Sequence, residues 1–192
     1  MSDLKLFMVI IGCIPQGRFT EQHDVFFGIG NSLRELVPQM NIFWKEANGR
    51  IHIDAWREIK FVDDFIITIT EKQNANTSTE NNKLFFINLG GYKENEFEEY
   101  HYKIITAARD KGEAIRKSKE TAFYKHYGFK GAESHIDDKY GIDVDDLYQI
   151  EDILPAKTKN KYSINLTYNE NAMADELHIG YVTMTKLQNS DW

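Results

Sequence analysis

The chain has 192 residues, 42% hydrophobic and 13% aromatic, with one cysteine and three prolines, a globular composition outside the disordered and collagen-like classes. Its 30 Asp and Glu against 23 Lys and Arg leave a net charge of -7, which repels phosphate backbones and argues against nucleic acid or an anionic membrane as partner. A lone Cys13 excludes an intrachain disulfide, the apolar run at 6–15 is too short to span a bilayer, and Asp3 stands where a signal peptide would be basic; the expected location is the cytoplasm.

The first predicted element, KLFMVIIG at 5–12, is a nearly continuous apolar run ending in glycine, the pattern of a strand buried on both faces. The turn-rich CIPQGRF reverses the chain into a second strand over 21–30, where Glu21, His23, Val25, Phe27 and Ile29 share a face. Ser32 and Glu35 have capping-box spacing, and Leu33, Leu36, Val37 and Met40 form a helical stripe that Pro38 should kink or shorten. Strands are predicted over 50–60 and 64–70, followed by a polar linker or hairpin tip, NANTSTENN, at 74–82.

The pattern then recurs. Laying Lys5 on Lys83 superposes Leu6, Phe7, Gly12, Phe19, Glu21 and His23 on Leu84, Phe85, Gly90, Phe97, Glu99 and His101. At the same shift Asp110 and Glu113 supply a second cap before AIRKSKETAFYKH, and slightly larger shifts lay His52-Ile53-Asp54 on His135-Ile136-Asp137 and Val62-Asp63-Asp64 on Val144-Asp145-Asp146. Repeats of this kind imply duplication. Beyond Pro155, KYSINLTY and ELHIGYVTMTKL suggest one more hairpin, closed at 169–171.

The expected architecture is α+β: tandem ββαββ modules over 1–73 and 83–154, a C-terminal β-hairpin over 155–192, mainly antiparallel sheet, and one helix per module packed on a sheet face. The two modules are expected to form one compact pseudo-twofold unit.

The opening strand with its glycine, Glu21-Gln22-His23-Asp24, Trp44 and His52-Ile53-Asp54 resemble a bacterial domain-of-unknown-function family whose module occurs in one or two copies. The resemblance covers 4–154 and implies three recurring segments, Gly-Gly, Glu-x-His-Asp and His-x-Asp. The first copy departs at Gly12-Cys13 and the second at His101-Tyr102. It implies no activity.

Candidate ligand-binding residues are Glu21, His23, Asp24, His52 and Asp54, with Glu99, His101, His135 and Asp137 in the second copy. In a strand Glu21 lies on the face of His23, and His52 on the face of Asp54, so neighbouring strands would gather two imidazoles and two carboxylates. Glu21, His23, His52 and Asp54 thereby form a candidate set for a divalent metal of the Zn, Mn or Fe class. The same pairs also suit hydrogen-bond networks that pin strand register. The Val-Asp-Asp repeats read as turns, the aromatics Phe123, Tyr124, Tyr127 and Phe129 as a packing cluster, and the basic run at 111–119 as a solvated helix face.

No complete catalytic or nucleotide-binding motif is present. The function is unknown from sequence. The leading expectation is a non-catalytic small-ligand-binding or assembly protein with a pseudo-symmetric cleft, its partner a small molecule, a protein or a second copy of the chain. The alternative is a metal-dependent hydrolase using the duplicated cluster.

Overall fold

A computed structural model describes residues 4–72, 81–92, 95–120, 142–171, 173–190 and 192, without the side chains of 92, 142 and 143. Ten strands are assigned among them: β1 Lys5–Cys13, β2 Gln22–Gly30, β3 His52–Glu58, β4 Phe61–Val62, β5 Phe65–Glu71, β6 Lys83–Tyr92, β7 Glu99–Ala108, β8 Ile142–Gln149, β9 Tyr162–Tyr168 and β10 His178–Thr183. Helices follow as α1 Val37–Phe43, α2 Lys111–Lys119, α3 Ile150–Ile153, α4 Ala156–Lys161 and α5 Met184–Gln188. The fold is α+β with antiparallel strand pairs, and no described helix is long and apolar enough to cross a membrane.

The chain divides into two compact units, Met1–Ser78 with Ile153–Trp192, and Thr79–Asp152. In the first, a four-stranded sheet runs in the order β10-β3-β1-β2 and a smaller one in the order β4-β5-β9. Phe7, Val9, Ile11 and Cys13 are buried on one face of β1, packed with Leu33, Leu36, Val37 and Met40. This is the stripe the helical periodicity predicts. Burying each such side chain contributes about 1.5–3 kcal/mol, so this layer dominates the unit's stability.

Pro38 shortens the helix. Leu33–Leu36 is a single 3-10 turn, and α1 begins only at Val37 with the proline in its first turn, where a missing N–H costs nothing. Ser32 makes no side-chain cap, but Glu35 Oε2 accepts the Asn31 N–H at 3.0 Å. The second unit completes what the first half-forms: Asp110 Oδ1 accepts the Glu113 N–H at 2.9 Å, and Glu113 Oε2 accepts the Arg109 N–H at 3.0 Å.

The second unit holds a sheet in the order β7-β6-β8, with α2 packed on it. Phe85, Ile87, Leu89, Ala108 and Ala114 form its core. The registers of the two units correspond. β1 carries a bulge against β3 between Ile10 and Ile11, and β6 carries one against β8 between Asn88 and Leu89. On the Lys5-to-Lys83 alignment these are the same position.

Three expectations are corrected. β9 and β10 do not form a hairpin: β9 pairs with β5 and β10 with β3, in separate sheets. The segment between them is too long for a tight turn, and Asp175 ties it to the Lys60 and Phe61 N–H groups at 3.0 Å each. Gly12 and Gly90 do not end their strands but lie within β1 and β6. Finally, Val62-Asp63-Asp64 and Val144-Asp145-Asp146 are not counterparts. Asp63, at φ 51, turns β4 into β5, whereas Val144 to Asp146 lie inside β8. The linker from 74 to 80, the aromatic group at 123–129, and His135 and Asp137 lie outside the described residues.

Candidate metal centre

The centre of the first unit is built around Gly12. That residue pairs with His23 of β2 on one side and His52 of β3 on the other, so both imidazoles rise from the same sheet face, opposite α1. A strand normally alternates, but the bulge makes Asp54 an extra residue between Ile53, opposite Ile11, and Ala55, opposite Ile10. Such a bulge re-aims side chains. Ile53 keeps its place in the core, fully buried, while the Asp54 carboxylate joins the histidines.

Glu21, just before β2, completes the cluster. His52 Nε2 lies 3.0 Å from Glu21 Oε1 and 3.4 Å from Asp54 Oδ1. His23 Nε2 lies 3.3 Å from Asp54 Oδ2 and 3.7 Å from Glu21 Oε2. These separations of 3.0–3.7 Å, with each histidine facing a different oxygen of each carboxylate, bracket the edge of about 3.3–3.4 Å between ligand atoms around a tetrahedral ion with bonds of about 2.0–2.1 Å.

Two of these atoms are buried without a hydrogen bond among the described residues: His52 Nε2 and Asp54 Oδ2. The His52 side chain is only 8% exposed, whereas those of Glu21 and His23 are 43% and 44% exposed. Neither atom has a well-aligned hydrogen bond to balance its burial, and each instead faces an oppositely charged or polar group at 3.0–3.4 Å. Tyr181 of β10 packs its ring on that of His52, with centroids 4.5 Å apart.

The glycine is required by space. A Cβ on Gly12 would stand 2.6 Å from His52 Nε2 and 2.8 Å from Asp54 Oδ2, inside the volume the donor atoms occupy. A glycine inside a strand marks such a close approach.

In the second unit Gly90 pairs with His101 of β7 and with Asp143 of β8. The bulge makes Asp145 the extra residue, and His101 Nε2 lies 3.3 Å from Asp145 Oδ2, the same separation as His23 to Asp54. Glu99, His101 and Asp145 offer donor atoms that all lie within 4.8 Å of one another, as do those of Glu21, His23 and His52. A Cβ on Gly90 would collide with the Asp145 carboxylate.

The structure therefore brings together Glu21, His23, His52 and Asp54, and separately Glu99 and His101. Asp24 is not in the cluster: it follows His23 on β2, opposite Ile11, and its Oδ1 accepts the Val25 N–H at 2.7 Å. Asp145, expected in a turn, lies instead within β8 beside His101 and Glu99. Its signal was the paired glycine, since Gly90 repeats Gly12 and must face something that excludes a side chain.

Elsewhere burial pushes the Cys13 thiol above its ordinary pKa, with Glu21 adding to the rise and Arg50 opposing it. Burial likewise raises Asp175, against the lowering effect of the two backbone N–H groups it accepts.

Residues 18–69 match the family described as Domain of Unknown Function (DUF1543), an uncharacterised family, as the resemblance in the sequence indicates. The match contains Glu21, His23, His52 and Asp54. The fold is similar to the crystal structure of a protein Il1583 from Idiomarina loihiensis, at 21% identity and a TM-score of 0.63, over 95% of this chain and 99% of that one. No curated protein matches the sequence. The function is unknown, and neither comparison names an activity.

Proposed function

We propose that this chain is a divalent-metal-binding protein whose first unit holds one ion between Glu21, His23, His52 and Asp54. The observation that carries the reading is the buried Nε2 of His52, which faces two carboxylates at 3.0 and 3.4 Å without a hydrogen bond among the described residues. A bound cation would satisfy it and neutralise the paired carboxylates. Two imidazoles with two carboxylates are the donor set of zinc, with Mn and Fe(II) next.

Such an ion supplies a Lewis acid and can lower the pKa of a bound water. The half-exposed Glu21 and His23 leave a solvent side through which a small anionic or carbonyl ligand can approach. This favours small-ligand binding or metal-assisted hydrolysis at the first-unit centre. The matched registers, bulges and glycines support a duplicated module. The buried free thiol of Cys13 suits a reducing compartment, and the acidic net charge argues against nucleic acid as a partner.

The test is elemental analysis of tag-free protein purified without chelators and dialysed against Zn2+. We expect the first-unit ion to be lost in both His23→Ala and His52→Ala. A folded wild type that takes up no metal would overturn the reading.

A further inference from the structure

The second unit departs from the first in one donor. The strand position opposite the glycine is His52 in β3 but Asp143 in β8, so the described donors Glu99, His101 and Asp145 include one imidazole where the first unit has two. Its geometry is otherwise the same: the 3.3 Å His–Asp separation, the bulge that delivers the aspartate, and a glycine whose Cβ would fill the space. At the corresponding positions its exposure is like that of the first unit: His101 and Asp145 side chains are 38% and 30% exposed, against 44% and 32% for His23 and Asp54.

We propose that Glu99, His101 and Asp145 form a second cation site, inequivalent to the first and biased toward harder ions such as Mn2+. Oxygen donors suit Mn2+ and Mg2+, whereas each imidazole exchanged for oxygen weakens the hold on Zn2+. The two units thus hold different ions, and duplication followed by loss of one histidine is the route by which one module came to provide both. This rests on the same donor logic as the proposed function, but every residue it uses lies in the other unit.

The experiment titrates full-length wild type, His52→Ala and His101→Ala with Zn2+ alone and Mn2+ alone by calorimetry. Asp145→Asn serves as an isosteric second variant, and circular dichroism confirms folding. Expected are two sites in wild type and one in each variant. The ratio of Zn2+ to Mn2+ affinity is expected to be at least tenfold smaller for the site left in His52→Ala than for the site left in His101→Ala. An unchanged stoichiometry in both His101→Ala and Asp145→Asn overturns the second site, and equal ratios overturn its bias. If wild type holds one ion, lost in His101→Ala and kept in His52→Ala, the second site stands and the first-unit reading fails.

Discussion

Gly12 and His52 face each other across β1 and β3, and a single methyl group on the glycine would come within 2.6 Å of the histidine's Nε2. The strand has given up a side chain to make room for a cluster of donors. Gly12→Ala must therefore push a buried imidazole off its position. We predict a loss of at least tenfold in Zn2+ affinity and a destabilisation of about 1–3 kcal/mol, the usual cost of overpacking. Calorimetric titration together with a urea melt checks both; unchanged Zn2+ affinity would mean that the cluster does not hold the ion.

Metal binding should be visible as stability. A ligand at about 100 times its Kd stabilises the folded state by about 2.7 kcal/mol, and a domain of this size shifts by about 2–4 °C per kcal/mol. Zn2+ should thus raise the wild-type Tm by about 5–10 °C and leave a His23→Ala, His52→Ala double variant unmoved in its first-unit transition. Differential scanning calorimetry with and without Zn2+ makes the comparison.

Asp175 predicts a pH dependence. Burial raises its pKa from the ordinary value of 3.8, so the folded chain holds this proton more tightly than the unfolded chain does. The resulting stabilisation is fully present below the unfolded value and is lost as pH rises through the folded value. Asp175→Asn keeps an oxygen for the Lys60 and Phe61 N–H groups but never ionises. The variant should gain on wild type as pH rises from about 4 toward 7, with the difference vanishing in acid. Urea midpoints across that range test the sign, and a constant difference would refute it.

Cys13 is 1% exposed and its pKa is raised, first by burial. Its thiol should react with a disulfide reagent only when the chain unfolds. Reaction kinetics in native buffer and in denaturant, followed by absorbance, distinguish the two; rapid modification of folded protein would show that the Cys13 region opens.

The clustering of Glu21, His23, His52 and Asp54 was legible in the sequence because a period of two fixes which residues share a strand face. The helical stripe from Leu33 to Met40 was legible by the same logic at a period of 3.6. The bulges were not. An extra residue at Asp54 or Asp145 changes the face of everything after it, yet carries no local sequence signal.

Pairing against β6 sets Asp143, Val144 and Asp145 where His52, Ile53 and Asp54 stand against β1, a correspondence the letters do not show; His135-Ile136-Asp137, which match in letters, lie outside the described residues. The partners of β9 and β10 were hidden for a related reason: which edge a strand joins depends on distant residues, and adjacency in the chain suggested a hairpin the fold does not make.

The most direct test of the account is X-ray absorption at the zinc edge of Zn2+-loaded His101→Ala protein, which isolates the first-unit centre. The expected spectrum is that of a four-coordinate shell of nitrogen and oxygen at about 2.0–2.1 Å with the scattering signature of two imidazoles. A shell of oxygens alone, or one with no imidazole signature, would contradict the claim that His23 and His52 converge on an ion.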